Sequence, residues 1–236
     1  NGGHKRNILL RNSTMTSDLF IIGDSFSKYK PDSIYLNLLA SDFNIKNFSK
    51  NGVGPQYIIE SLQNLSIEKS DFLFIVFPDP NRIHFKYIDD YDASKIFQLW
   101  RKSTYENIFL NQKEQKIVSD YDVLRKSNLL ELLPSLYLTY ILSFYELYDK
   151  ILIWPTNNMT FDLIQTIPVN CFIVKKPLNH ISIDENVFVK NEKIFLKDLR
   201  INHLSEVNHH ILYDFIKNFF IDNKRELPIF KRDLND

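Results

Sequence analysis

The sequence predicts an α/β protein, a three-layer sandwich in which a central parallel sheet lies between two layers of helices. Short apolar runs alternate with segments of helical periodicity, which is typical of parallel strands joined by crossover helices. Residues 72–77 read FLFIVF without one polar side chain, as expected of a strand buried on both faces. The chain has only five glycines in 236 residues, and the three internal ones fall in two turns that follow predicted strands.

Each predicted element rests on local pattern. Strands are expected at the short segments 19–23, 44–48, 72–77, 150–154 and 170–174. Helices are expected at residues 32–41, at 55–65 and after Leu204. Pro55 suits the first turn of the second helix, and Ser205 is a suitable N-cap for the last one. The last helix carries an apolar stripe from Ile211 to Phe220.

Residues 92–149 are the least typical part of the predicted fold, and we interpret them as a helical insertion. Residues 129–147 are strongly apolar with helical spacing, whereas 92–125 are more polar and are expected to form a cap. No linker forces a division, so residues 15–236 are expected to form one domain. Residues 1–14 are interpreted as an N-terminal extension or a cloning remnant and are left out of the fold prediction.

Composition excludes several classes of function. Twenty-nine basic residues balance 29 acidic ones, so no electrostatic footprint for nucleic acid is present. No run of 18 apolar residues and no signal peptide are found, so no membrane partner is expected, and cytoplasmic and virion-associated locations both stay open. The only cysteine, Cys171, lies in an apolar run and is expected to be a buried structural thiol. The oligomeric state is left open.

The strongest chemical signal is Gly23-Asp24-Ser25, directly after the first predicted strand. In open α/β sheets, ligands bind at the carboxyl ends of the strands. Ser25 is therefore a candidate nucleophile. It is not part of a Gly-x-Ser-x-Gly motif, because Ser27 stands where the second glycine would be, so an α/β-hydrolase nucleophile elbow is not expected.

A second signal lies before the last helix, where His203 is placed to reach across the same sheet edge. A histidine near neutral pKa accepts a serine proton and returns it to a leaving group. His209 and His210 fall inside the helix and are expected to have capping or surface roles. No carboxylate or cysteine stands at ligand spacing from these three histidines, so no metal and no cofactor are predicted.

Together these segments resemble the SGNH (GDSL-type) hydrolase superfamily, whose fold is flavodoxin-like. Residues 19–27 match its first block, 47–56 its second, and 70–77 the strand before its third, while 202–210 are similar to its final block. The resemblance implies that Ser25 is the nucleophile and His203 the general base. It also implies an oxyanion hole built from the Ser25 and Gly52 backbone N–H groups, with Asn81 as a further donor.

Two positions depart from the pattern of that superfamily. Its third block offers an asparagine to the oxyanion, but Asp79 stands at the equivalent place here, and a carboxylate would repel the developing charge. Asn81 or Arg82 would substitute if the flanking prolines shift the loop. Its final block also has an aspartate two or three residues before the histidine, whereas the nearest carboxylate here is Asp198.

The resemblance implies a serine esterase acting on a small acyl ester or an acylated carbohydrate, with Asp24, Asp79 and Arg82 as possible substrate-binding residues. Two alternatives stay open. The first is a catalytically degenerate relative that serves as a binding or structural module, for example in a viral particle. The second is an unrelated flavodoxin-like domain in which the Gly-Asp-Ser turn cradles a phosphate at a helix N-terminus.

Overall fold

The computed structural model describes residues 17–28, 34–65, 71–83, 93–106, 108–127, 129–159, 164, 166–181, 187–190, 193–196 and 204–231. Within these ranges the chain forms a five-stranded parallel sheet covered by helices, so the predicted α/β class is confirmed. The predicted positions Asp198 and His203 and the extension 1–14 lie outside the described residues.

All five predicted strands are present and parallel. They are β1 (Asp18–Gly23), β2 (Asn44–Asn47), β3 (Phe72–Phe77), β4 (Lys150–Pro155) and β5 (Cys171–Ile173). The spatial order is β2-β1-β3-β4-β5, which places β1 and β3 at the centre. Ile21 pairs with Phe74, and Phe74 pairs with Leu152 on the other side. The carboxyl ends of β1 and β3 are therefore neighbours at one edge of the sheet.

Alternating side chains of the strands supply two separate cores, one on each face of the sheet. On one face, Ile21 and Trp154 pack with α1 (Ile34–Leu39) and with the last helix, α6 (Glu206–Asp222). On the other face, Ile22 and Ile153 pack with α2 (Pro55–Asn64) and α5 (Leu129–Leu142). This alternation follows from the period of two in a strand, and it produces the expected three layers.

Between β3 and β4, the described residues form three helices and a short 3-10 helix, Tyr145–Leu147. The first two are α3 (Ala93–Tyr105) and α4 (Gln112–Lys126). They share a small core of their own, made of Ile96, Trp100, Ile117 and Tyr121. In contrast, α5 packs on the sheet in the same layer as α2. Of the predicted insertion, α3 and α4 therefore form the part that stands apart from the central sandwich.

The C-terminal part combines expected and unexpected features. Ser205 caps α6 as predicted, because its side chain accepts the N–H of Asn208 at 3.3 Å. After α6 the chain turns back, and Asn208 holds it through two hydrogen bonds with the Lys231 backbone. An antiparallel hairpin of β6 (Val187–Lys190) and β7 (Lys193–Leu196) was not predicted. Among the described helices, none combines the length and apolarity needed to span a membrane.

Candidate functional site

The Gly-Asp-Ser segment forms a tight turn at the carboxyl end of β1. The Asp24 backbone C=O accepts the N–H groups of Ser27 (3.2 Å) and Lys28 (3.1 Å). The Asp24 carboxylate accepts the N–H of Phe26 at 3.0 Å, which closes an Asx turn around Ser25. Ser25 itself is half-buried, and its hydroxyl makes no hydrogen bond to another described residue. The turn therefore presents Ser25 at the sheet edge without using its side chain for structure.

The loop after β2 lies against this turn. The N–H of Lys50 donates to the Gly23 C=O at 3.0 Å. The side-chain amide of Asn47 donates to the Ser27 C=O at 2.8 Å, and the Ser49 and Ser27 hydroxyls are 2.9 Å apart. These bonds tie the two loops together through backbone and buried polar groups, so their relative position is well defined.

The loop after β2, called the second loop below, contains two glycines that are needed for different reasons. Gly52 has a φ of 73°, a left-handed conformation that other residues rarely adopt. Gly54 is required by contact, because a Cβ built there would lie 1.8 Å from the backbone oxygen of Arg82. The second loop therefore touches the loop after β3 with no side chain between the two backbones.

A buried ion pair joins the loop after β3 to the Gly-Asp-Ser turn. Arg82 Nη1 lies 3.1 Å from Asp24 Oδ2, and the side chains are 23% and 1% exposed. Burial raises the pKa of Asp24, although the Arg82 charge and the Phe26 N–H oppose this effect. Asp24 and Arg82, both considered as possible substrate-binding residues, are thus bonded to each other. Asp24 in particular is enclosed and holds two loops together.

Asp79, at the position where an oxyanion donor was expected, is hydrogen-bonded to Asn81. Its Oδ1 accepts the backbone N–H of Asn81 at 2.9 Å and the side-chain Nδ2 of Asn81 at 3.0 Å. A side-chain amide has two N–H hydrogens, so the bond to Asp79 leaves one of them for another acceptor. Asp79 therefore orients Asn81, which is one of the two residues, with Arg82, expected to substitute as the donor.

His203 and Asp198 lie outside the described residues, whereas α6, which follows His203 in the chain, is described. The Tyr35 hydroxyl donates to the Phe26 C=O at 2.7 Å. The Tyr35 ring also stacks on His209, with 5.7 Å between ring centroids. One α1 side chain thus contacts both the Ser25 turn and the first turns of α6. His210 is exposed, as expected for a surface role.

Several polar groups near this edge of the sheet were not expected from the sequence. Tyr35 and Tyr121 are buried and donate to the loops after β1 and β3. Thr156 directly follows β4, is 3% exposed, and its hydroxyl has no hydrogen-bond partner among the described residues. An aromatic or hydroxyl residue in a helix or after a strand carries no distinctive spacing, so no sequence signal separates these residues from ordinary core positions.

The described residues also bear on metal binding, on the cysteine and on the position of a cavity. Within the described ranges, no group of three histidine, cysteine, aspartate or glutamate side chains is placed to hold a metal ion. Cys171 is 1% exposed, and burial raises the pKa of its thiol to about 12. A cavity of about 700 Å³ lies between α6 and the C-terminal tail, and Ile211, Phe215 and Leu227 are among its lining residues. None of the lining residues belongs to the loops after β1, β2 and β3.

Comparison of the chain with protein-family models, with curated proteins and with solved structures found no match.

Proposed function

We propose that this protein is a serine ester hydrolase of the SGNH type, with a flavodoxin-like sheet, in which Ser25 is the nucleophile. The observation that carries the proposal is the convergence of three loops at the carboxyl edge of the sheet. The Arg82–Asp24 ion pair and the Gly54–Arg82 backbone contact bring these loops together beside the turn that carries Ser25, whose hydroxyl has no hydrogen bond to a described residue. Such an edge is where open α/β sheets bind ligands.

The proposed reaction is acyl transfer from an ester to water. Ser25 Oγ attacks the carbonyl carbon while its proton passes to His203. The backbone N–H groups of Ser25 and Gly52 and the second amide hydrogen of Asn81 stabilise the oxyanion. The C–O bond to the alcohol then breaks, and the alcohol leaves with the proton from His203. A water molecule repeats the sequence, so the acid is released and the serine is regenerated.

The arrangement of Asp79 supports Asn81 as the third oxyanion donor. The Asp79 carboxylate already accepts two N–H groups of Asn81, which stabilise its charge and hold the Asn81 side chain beside it. An asparagine held this way loses little rotational freedom when an oxyanion forms, which is the advantage of a preorganised donor. Asp198 is proposed as the residue that orients His203. Acylated carbohydrates are the proposed natural substrates, and no cofactor is required.

The hydrogen bonds of the Gly-Asp-Ser turn argue against the phosphate-binding alternative. A phosphate cradle needs several unpaired backbone N–H groups that point at the anion. Here the N–H groups of Phe26, Ser27 and Lys28 all donate to Asp24. The buried Asp24 carboxylate would also repel a phosphate. The turn is therefore better suited to present a hydroxyl than to bind an anion.

One observation favours the second candidate function, a catalytically inactive binding or structural module. The third loop carries the Asp79 carboxylate where a related hydrolase has an amide, and an oxyanion near it would be repelled. The two functions differ in one measurable property. An enzyme turns over an ester in a way that depends on Ser25, and an inactive module does not.

The test is hydrolysis of an activated acetyl ester, p-nitrophenyl acetate, by the wild type and by two serine variants. Ser25→Ala should reduce kcat to background without changing urea unfolding. Ser27→Ala is the matched control from the same turn. Its hydroxyl bonds to Asp24 and Ser49, so its loss should cost about 1 kcal/mol of stability while turnover persists.

Further results would separate the candidate functions. His203→Ala should cost nearly as much activity as Ser25→Ala, since nucleophile and base act as a unit. A fluorophosphonate probe should phosphonylate the wild type, with loss of fluoride, and should leave Ser25→Ala unmodified. Equal rates for the wild type and Ser25→Ala over a panel of acyl esters would reject the hydrolase proposal and leave the inactive module.

A further inference from the structure

The outer side of the loop after β3 is held by the α3–α4 unit. The Tyr121 hydroxyl, on α4, donates to the backbone C=O of Asn81 at 2.7 Å. Ile83, two residues further along the same loop, packs against the small core of that unit. A helical segment that stands apart from the central sandwich thus makes both a polar and an apolar contact with the loop that carries the proposed oxyanion donor.

The Tyr121 contact is built rigidly. The side chain is fully buried, and its ring lies 5.5 Å from the Trp100 ring. The Arg125 guanidinium lies 4.2 Å from the centre of the same Trp100 ring, on which it stacks. Burial raises the pKa of the Tyr121 hydroxyl, and the Asp79 charge adds to this effect, so the hydroxyl stays protonated and donates. A donor fixed in this way can hold its acceptor in one position.

Asn81 is hydrogen-bonded through its N–H groups and through its backbone C=O. Asp79 Oδ1 accepts both its backbone and its side-chain N–H. Its C=O accepts the Tyr121 hydroxyl and the N–H of Ile83 at 3.1 Å. The only donor of Asn81 that these contacts leave over is the second hydrogen of its side-chain amide. The direction of this N–H bond depends on the orientation of the Asn81 backbone, whose C=O is held by the Tyr121 hydroxyl.

We propose that Tyr121 is a positioning residue for the ester hydrolysis, and that the α3–α4 unit sets the orientation of Asn81 towards the oxyanion. The inference rests on the proposed function and extends it to a residue 40 positions away in the sequence. Tyr121 does not touch the substrate. It acts through the Asn81 peptide, so its loss should weaken stabilisation of the transition state and leave substrate binding in the ground state unchanged.

The test compares Tyr121→Phe with the wild type and with Tyr148→Phe. Tyr121→Phe keeps the ring packed against Trp100 and removes only the hydroxyl. Tyr148 is a matched control, since it is 2% exposed, its hydroxyl has no hydrogen-bond partner among the described residues, and it precedes β4 at the opposite edge of the sheet. We expect Tyr121→Phe to lower kcat about tenfold with an unchanged KM, and Tyr148→Phe to change neither.

A double-mutant cycle separates positioning through Asn81 from a general loss of structure. In an Asn81→Ala background, Tyr121→Phe should cause little further loss of kcat, because the group it positions is already missing. Equal tenfold losses in both backgrounds would overturn the inference. An unchanged kcat for Tyr121→Phe, with Ser25-dependent turnover intact, would also overturn it and would leave the proposed function standing.

Hydrogen exchange supplies a readout that needs no activity. The backbone amides of Asp79 and of residues 81–83 should exchange faster in Tyr121→Phe than in the wild type, and at the wild-type rate in Tyr148→Phe. Unchanged exchange in Tyr121→Phe would show that the hydroxyl does not hold the loop, which overturns the inference. Absence of Ser25-dependent turnover in the wild type, together with faster exchange, would reject the proposed function while confirming the structural contact.

Discussion

The backbone contact between Gly54 and Arg82 gives the sharpest prediction about the candidate site. In Gly54→Ala, the new Cβ would lie 1.8 Å from the Arg82 oxygen, whereas ordinary van der Waals contact begins at 3.4 Å, so the two backbones must separate by about 1.6 Å. The nearest atoms are backbone, so a side-chain rotation cannot relieve the clash. Overpacking of this kind costs about 1–3 kcal/mol.

The displacement should affect activity more than stability. Arg82 is the residue after Asn81 and is also the ion-pair partner of Asp24, so a shift of its backbone moves the proposed oxyanion donor. A misplacement of about 1 Å costs roughly 10²-fold in rate. We therefore expect kcat/KM for p-nitrophenyl acetate to fall about 10²-fold in Gly54→Ala.

Urea unfolding and ester hydrolysis together test this reasoning. With an m-value of about 2 kcal/mol/M, the expected loss of stability lowers the unfolding midpoint by about 1 M. Asn51→Ala, an exposed change in the same loop, is the control and should stay within about 0.5 kcal/mol of the wild type. An unfolding midpoint for Gly54→Ala equal to that of the wild type would refute the close contact.

Three further predictions concern titrating groups. Because burial raises the pKa of Asp24, its ionisation costs stability as pH rises above the ordinary value of 3.8. The free energy of unfolding of Asp24→Asn, measured in urea and compared with that of the wild type, should therefore shift in favour of the variant as the pH rises from about 3 to 7. A difference that stays constant over this range would contradict the prediction. At Asp42, burial opposes ionisation, but hydrogen bonds from Lys217 and Tyr213 prevail and lower the pKa. Asp42→Asn should thus be less stable than the wild type at neutral pH, and the two unfolding midpoints should converge as pH falls through the lowered pKa. The Cys171 thiol, with its pKa raised to about 12 by burial, should react with an aromatic disulfide reagent only after unfolding in urea, and rapid reaction of the folded protein would count against its burial.

Local pattern was sufficient to predict the elements that form the sheet. The five strands were expected within about one residue of their observed ends, because burial on both faces of β3 and β4 leaves a continuous apolar run in the sequence. Ser205 was expected as an N-cap for a similar reason, since its partner lies only three residues away. The antiparallel hairpin of β6 and β7 was missed, and it lies outside the five-stranded sheet.

The sequence predicted which loops form the candidate site, but it did not predict the contacts between those loops. Placing Gly23-Asp24-Ser25 at the sheet edge required only a strand followed by a turn. The sequence also singled out Asp79 and Asn81, but it placed Asp79 where it would repel an oxyanion. The structure adds that Asp79 accepts two N–H groups of Asn81, a contact that the sequence did not indicate. The orientation of that turn is decided by its neighbours in space.

What the sequence by itself determined is the part of the protein that short-range periodicity encodes: five parallel strands, their covering helices and the edge at which Ser25 lies. Only the tertiary structure decided that Arg82 pairs with Asp24 across 58 residues and that Tyr121 bonds to Asn81 across 40. The physical reason is that strand and helix patterns report how each residue faces the core. Contacts between loops depend on how far apart the packed elements hold their ends, and no single segment of the chain carries that distance.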